Sequence, residues 1–350
     1  MHIVLFGTGA LGSLFGARLA KFGGACVTLA GTWPEALAAI DEGGVRVVES
    51  TAASGSKVEW IAKVEVLDLK APDAGDRLDR LSADLVLILV KSAQTASVAA
   101  SAMRAVAPGG LVLTLQNGLG NREVLAAAAE AAASAEAGVS AEAAVSSEAR
   151  ESGTQRHVAV GVTSVGAALL GPAHVLAGGR GRTVLGLEAG NDDALKAVQT
   201  IFIAAGFPTE RSSDLDRLVW RKLVVTCAIL PLSATLNMTN GELLHRPEPR
   251  ATMESAAREV AAVAAAQGID LGLRDGADPA ALAVEVAEAT TGNRSSMLQD
   301  VLRGVRGAET EIEAINGAVV RLARQSGVAV PVNEQLYEAV RCIGETNGHD

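Results

Sequence analysis

Aromatic side chains are scarce in this chain, with one tyrosine, three tryptophans and five phenylalanines among 350 residues. Hydrophobic residues nevertheless make up 49%, so the core must be assembled from alanine, valine, leucine and isoleucine rather than from rings. That suits helices packed on a parallel sheet. Cysteine is sparse too. Cys26, Cys227 and Cys342 lie far apart, are odd in number and lack metal-ligand spacing. This argues against a disulfide framework and a zinc site, and no metal is expected; a reducing compartment fits. Positive charge is in deficit, with 30 lysines and arginines against 40 acids and a net charge of −10. A field of that sign repels phosphate-rich surfaces, so neither nucleic acid nor an anionic membrane is an expected partner. Apolar runs at 85–90 and 111–115 are far shorter than the roughly 20 residues that span a bilayer. The opening MHIVLFG has no basic segment or cleavage site, which predicts a cytoplasmic chain without a signal peptide.

What is present is length and a strong order of motifs. At 350 residues the chain exceeds the size at which one core usually keeps growing, so two domains are expected. His2-Ile3-Val4-Leu5-Phe6 reads as a strand, Gly7-Thr8-Gly9-Ala10-Leu11-Gly12 as a glycine loop, and 13–22 as a helix. Cys26-Val27-Thr28-Leu29-Ala30 supplies a second strand and closes a βαβ unit. Further short strands are expected at 85–90, 111–115, 157–165 and 182–186. Between 124 and 153 the composition falls to alanine, glutamate and serine, which reads as a solvated helical or disordered insertion. From 215 onward the texture is helical, over 215–234, 251–267, 279–290, 296–303 and 310–325. The expected fold is α/β: an N-terminal Rossmann domain over 1–212, a doubly wound parallel sheet, followed by an all-helical domain over 213–350 for substrate binding and dimerisation.

A glycine loop between strand and helix lets backbone N–H groups meet a pyrophosphate at a helix N-terminus, so residues Gly7 to Gly12 are expected to bind a dinucleotide. At the end of the second strand, Leu29-Ala30-Gly31-Thr32-Trp33 offers no acid for a ribose 2′-hydroxyl before Glu35, and no arginine for a 2′-phosphate. Thr32 can donate one hydrogen bond to such a phosphate and Lys91 can lend charge. The cofactor expected is NADP, with NAD as the alternative. Lys91 and Asn117 each follow an apolar strand, where open α/β sheets bind ligands; equally, Lys91 reads as a surface lysine and Asn117-Gly118 as an ordinary turn. Lys222 interrupts an apolar helix that runs on to Leu232. Such a lysine either snorkels from a helix face or is held partly desolvated, where it can act as an acid.

Taken in order, several blocks resemble the ketopantoate reductase family, within the 6-phosphogluconate-dehydrogenase-like superfamily. They are Gly7 to Gly12, Val90-Lys91 with Gln94-Thr95, Leu115-Gln116-Asn117-Gly118-Leu119-Gly120-Asn121, Trp220-Arg221-Lys222-Leu223, Asn240-Gly241-Glu242-Leu243, Ser295-Ser296-Met297-Leu298-Gln299-Asp300 and Thr310-Glu311-Ile312-Glu313. The resemblance implies NADPH-dependent reduction of a small 2-oxo acid, ketopantoate first, by a homodimer. It implies Lys222 as proton donor, Asn117 beside nicotinamide and substrate, Asn240 and Ser296 on the substrate, Glu311 as a carboxylate closing the site near the cofactor, and Ala167 as a backbone cofactor contact.

Three departures accompany it. The family places asparagines four and eight residues after the lysine, on one helix face; this chain has Thr226 and Leu230 there, which opens the alternative of a larger or more apolar 2-oxo acid. The segment 301–309 is about one helical turn longer than the family pattern. No basic residue stands near Thr32. A non-catalytic NAD(P)-binding protein is the alternative from another class.

Overall fold

In the computed structural model, residues 1–50, 56–137, 156–179, 181–187 and 192–344 are described. Twelve strands are β1 (His2–Phe6), β2 (Cys26–Gly31), β3 (Val45–Ser50), β4 (Lys57–Ala62), β5 (Glu65–Asp68), β6 (Ala83–Ile88), β7 (Val106–Thr114), β8 (His157–Thr163), β9 (Ala167–Gly171), β10 (His174–Ala177), β11 (Thr183–Leu187) and β12 (Thr209–Arg211). The helices are α1 (Ala10–Lys21), α2 (Pro34–Gly43), α3 (Ala74–Leu81), α4 (Thr95–Ala105), α5 (Asn121–Ala137), α6 (Asp192–Ala204), α7 (Leu215–Leu236), α8 (Asn240–His245), α9 (Pro247–Ala266), α10 (Ala281–Ala289), α11 (Ser296–Leu302), α12 (Asn316–Ser326) and α13 (Pro331–Arg341). The chain separates into two compact units, Met1–Gln116 with Asn121–Ser213, and Asn117–Gly120 with Asp214–Asp350.

The first unit is built on an eight-stranded sheet in the order β12-β11-β8-β7-β6-β1-β2-β5. Every neighbouring pair is parallel except β8 with β11. Alternate residues of β1 feed opposite faces: Ile3 and Leu5 enter one apolar cluster with Phe15 and Phe202, whereas Val4 and Phe6 enter another with Met103 and Leu125. Burial on both faces is why these strands read as continuous apolar runs. The order reverses between β1 and β6, and the glycine loop leaves β1 at that switch point, where open α/β sheets take ligands.

A second sheet, β4-β3-β10-β9, was not anticipated from the sequence. It joins the β3–β4 antiparallel pair to the β9–β10 antiparallel pair through a parallel β3–β10 contact, with Val47 opposite Val175. Its strands mix charged and apolar residues, as in Val45-Arg46-Val47-Val48-Glu49-Ser50, because only one face is covered. Of the alanine-rich stretch at 124–153, residues up to Ala137 belong to α5, and the rest lies outside the described residues.

The second unit is helical, as expected, and α7 is its centre. Trp220, Val224, Cys227 and Leu232 of α7 are buried among α9, α10, α11, α12 and α13. At 22 residues and with a mean hydropathy of 1.4, α7 is long and apolar enough to cross a membrane; the two runs weighed in the sequence did not include it. Here 61% of its most apolar window is buried inside the protein. The expected single helix over 310–325 is a correction. Ile315 (φ −102°, ψ −94°) breaks it into a one-turn 3-10 helix, Glu311–Glu313, and α12. Thr310 caps the first piece, its hydroxyl accepting from Ile312 N at 3.4 Å and donating to the Gly307 carbonyl at 2.6 Å. Apolar spacing alone cannot register such a break, since the side chains resume the same face after it.

Candidate functional site

In the first unit, each glycine of the loop after β1 answers a different steric demand. Gly7 adopts φ +126°, and a Cβ there would meet the Leu89 carbonyl oxygen at 2.7 Å. Gly12 packs so closely that a Cβ would overlap the Gly7 carbonyl. Gly9 is the opposite case: it is the N-cap of α1, no side chain caps the helix there, and no atom lies within 4 Å of where its Cβ would be. The first turn of α1 therefore keeps backbone donors facing open space with no side chain between, which suits the close approach of a pyrophosphate. Thr8 is buried, with its hydroxyl side against Gly31 at the end of β2. Ser13 holds the loop from within, its hydroxyl donating to Thr8 O at 3.2 Å.

Thr32 follows β2 and is exposed. Lys91 is half-buried and precedes a one-turn 3-10 helix, Ser92–Gln94. The ends of β6 and β7 are tied together by Gln116, whose amide donates to Val90 O at 2.7 Å and to Thr95 Oγ1 at 2.9 Å. Thr95 in turn donates to Asn121 Oδ1 at 2.8 Å. Ala167 lies in β9, opposite Ala177.

Asn117 to Gly120 belong with the helical unit. Gly118 has φ +87°, and a Cβ there would overlap the Ala314 carbonyl, which accepts from Leu119 N at 2.9 Å. That close backbone contact brings Asn117 to Glu311: the Asn117 amide donates to Glu311 Oε2 at 3.0 Å. Glu311 is only 9% exposed. Between α11 and Glu311 the chain turns at Gly304 (φ +85°) and makes a 3-10 turn, Gly307–Glu309, before Glu311 meets Asn117.

Lys222 sits on α7 and retains partial exposure, yet its ammonium is enclosed enough that loss of hydration pulls its pKa down to about 8. Glu311 opposes that shift by favouring the charged form. One helix face carries Lys222, Thr226 and Leu230. Thr226 is buried and its hydroxyl turns back to the Leu223 carbonyl at 3.3 Å; Leu230 packs on the apolar core of this unit.

Asn240 opens α8, behind a Thr239–Glu242 capping box. Gly241 allows α8 to approach Thr291 closely, and the Asn240 amide donates to Thr290 Oγ1 at 2.8 Å. Its Oδ1 is buried and has no hydrogen-bond partner among the described residues. An orphaned buried acceptor is costly unless a ligand supplies the donor. Ser296 is exposed at the start of α11, while its neighbour Ser295 caps that helix, accepting from Leu298 N at 3.1 Å. Among the described residues no cluster of three or more His, Cys, Asp or Glu side chains is arranged to hold a metal ion.

Comparison with known proteins bears on both units. A family model described as "Ketopantoate reductase PanE/ApbA" matches residues 3–190, and its C-terminal counterpart matches 214–343. The chain belongs to the ketopantoate reductase family. A 2-dehydropantoate 2-reductase of Halobacterium salinarum is 35% identical, across 97% of this chain and 98% of the relative. One of Archaeoglobus fulgidus is 33% identical, across 98% and 97%. Among solved structures, a PanE/ApbA family ketopantoate reductase from Ralstonia eutropha JMP134 superposes with a TM-score of 0.77 at 31% identity, with 100% of each chain covered. A D-mandelate dehydrogenase solved with NADH and anilino(oxo)acetate has a TM-score of 0.78 at 24% identity, over 99% and 98% of the two chains, and shares the fold. Membership makes the chain an oxidoreductase.

In this family member the sequence-predicted residues of the helical unit fall into two groups. Asn117 and Glu311 are in direct contact, and Lys222 feels the charge of Glu311. Asn240, with its orphaned oxygen, and Ser296 lie on other elements, at the starts of α8 and α11. Gln116 and Ser295 were missed as structural supports. A signal existed for each: Gln116 is a polar residue at a strand end, and Ser295 stands three residues before a helical backbone N–H that needs a cap.

Proposed function

We propose that this chain reduces ketopantoate to pantoate with NADPH, and that Lys222 is its proton donor. The observation that carries the reading is the state of Lys222: an ammonium in desolvated surroundings, its pKa brought to about 8, with Glu311 as the charged neighbour that keeps it protonated near neutral pH. An acid whose pKa lies near the operating pH gives up its proton with least penalty.

The nicotinamide, when bound, supplies a hydride to the keto carbon of the substrate. As that bond forms, the carbonyl π electrons move onto oxygen, and the Lys222 ammonium stabilises the growing negative charge and delivers a proton to it, leaving an alcohol and a neutral amine. Glu311 favours recharging of the amine from solvent. Asn117, held by Glu311, is suited to orient the reacting groups. The orphaned Asn240 Oδ1 is suited to accept from a substrate hydroxyl, and Ser296 offers a second hydroxyl. Thr226 and Leu230, on the same face of α7 as Lys222, would make the less polar side of the substrate site.

The loop from Gly7 to Gly12 fits a dinucleotide. NADPH is favoured over NADH because no acid stands at Gly31-Thr32-Trp33 to claim a ribose 2′-hydroxyl; Thr32 and Lys91 are the groups available to a 2′-phosphate, and the Ala167 backbone is a further contact. A cytoplasmic homodimer belongs to the same reading, and the exposed thiols of Cys26 and Cys342 suit a reducing compartment. One observation favours a second substrate class. Thr226 spends its hydroxyl on Leu223 and Leu230 has none to offer, so a pocket less able to grip hydroxyls would favour a larger, more apolar 2-oxo acid.

A panel decides between them. With NADPH and NADH each in turn, kcat/KM is measured for ketopantoate, a branched aliphatic 2-oxo acid and an aryl 2-oxo acid. The reading expects ketopantoate with NADPH to lead by at least about tenfold. A lead for the aryl or branched acid selects the second reading, and an absence of turnover with all of them defeats both.

A further inference from the structure

Pro231 lies inside α7. A proline has no N–H, so the carbonyl four residues earlier, that of Cys227, loses its intrahelical donor. Cys227 is wholly buried, and water is no substitute there. The missing bond comes from another element: the side-chain amide of Asn316 donates to Cys227 O at 3.1 Å. Asn316 is 0% exposed and is itself fixed, donating also to Asn333 Oδ1 at 3.0 Å. Asn333 donates to Ala256 O at 3.1 Å and to Glu259 Oε2 at 2.8 Å. Glu259 further accepts the backbone N–H groups of Val332 and Asn333, both at 2.9 Å, at the start of α13.

The position of this bond relative to the two charged residues is what gives it a consequence. Cys227 is five residues beyond Lys222 on α7, and Asn316 is five residues beyond Glu311. The stretch from Glu311 to Asn316 is a closed turn, with Ala314 N and Ile315 N both donating to Glu311 O at 3.1 Å. One hydrogen bond thus joins the element that carries the lysine to the turn that carries the carboxylate.

The geometry points to Asn316 as a positioning residue: its amide replaces the donor that Pro231 removes, and through that bond it fixes Glu311 and Lys222 relative to each other. The consequence for the reaction rests on Lys222 being the proton donor. A loosened Glu311 favours the ammonium less, so the lysine gives up its proton at lower pH.

The test compares Asn316→Leu, Pro231→Ala and the double variant, because alanine at 231 restores an N–H that can serve Cys227 O directly. Three quantities are read: kcat with KM, the pH of the basic limb of kcat/KM, and the thermal midpoint. Asn316→Leu is expected to lower kcat roughly tenfold with KM within about twofold, and to move the basic limb to lower pH. Pro231→Ala alone is expected to stay near wild type, and the double variant to recover the thermal midpoint while kcat and the limb stay displaced, because an intrahelical bond satisfies Cys227 O without tying α7 to the Glu311 turn. If Asn316→Leu does not fold, Asn316→Ser, too short to span to Cys227, is compared in the same two backgrounds. The proposal is overturned if the Asn316 variants lower only the thermal midpoint, with kcat and the limb unmoved, or if the double variant recovers kcat and the limb. Turnover retained in Lys222→Ala would instead defeat the proton-donor reading, so the two failures are distinguishable.

Discussion

Replacing Lys222 by alanine is expected to lower kcat for 2-oxo acid reduction by roughly 10² to 10⁴, the range for loss of a general acid, while the dissociation constant for NADPH changes little. The lysine is on α7, in the helical unit, whereas the dinucleotide loop follows β1 in the other. Removing the ammonium takes away both the proton and the charge that meets the developing alkoxide, and no other lysine lies on α7. Loss of fold is not expected to explain the effect. The pKa of Lys222 is lower in the folded chain, about 8 against an ordinary 10.5, so below pH 8 the charged group is a net cost to folding, and the cost disappears as the pH rises past the unfolded value. Lys222→Met, which keeps the volume and drops the charge, is therefore expected to be more stable than wild type at pH 7 by about 1 to 2 kcal/mol after allowance for partial exposure. That advantage should shrink toward pH 10. Thermal unfolding at both pH values checks it, and a Lys222→Ala enzyme with wild-type kcat would remove the mechanism.

The glycine loop predicts a contrast between two neighbouring substitutions. At Gly9, φ is −75° and no atom lies within 4 Å of a Cβ, so alanine fits the protein without strain. Its methyl group would occupy the space through which a pyrophosphate approaches the start of α1. Gly9→Ala is expected to leave the thermal midpoint within a degree or so and to weaken dinucleotide binding by about 10- to 100-fold, the value of one to two lost charge-assisted hydrogen bonds. At Gly12 a Cβ would overlap the Gly7 carbonyl, and Gly12→Ala is expected to lower both the thermal midpoint and cofactor affinity. Titration of each variant with NADPH, followed by protein fluorescence or calorimetry, separates the two. Wild-type affinity in Gly9→Ala would mean that the loop does not cradle the cofactor.

Legibility in the sequence followed the physics of each element. The central strands could be read because sheets buried on both faces leave unbroken apolar runs, and the glycine loop because it sits between a strand and a helix. The small sheet formed by β3, β4, β9 and β10 could not, since its strands are short, one-sided and joined by pairing between residues more than 100 positions apart, as Val47 is to Val175. The helices around α7 were legible from spacing, but the break at Ile315 was not, and that break sets the turn on which Glu311 stands. For Lys222, spacing alone favoured a snorkelling lysine over a desolvated acid; the resemblance reversed the choice, and the desolvation of its ammonium supports the acid. Asn316 passed unnoticed although Pro231 was in plain view, because the orphaned carbonyl it creates is satisfied by a residue 89 positions away.

The most direct measurement of the account is the pH dependence of kcat/KM for ketopantoate reduction between pH 6 and 10, together with that of pantoate oxidation. Because kcat/KM reports the free enzyme, the limb should fall where Lys222 titrates without substrate. Reduction needs the ammonium and is predicted to be level below pH 7.5 and to fall tenfold per unit above about 8; oxidation needs the neutral amine and should rise through the same pH. A reduction rate that stays level to pH 10, or rises, would contradict Lys222 as the proton donor.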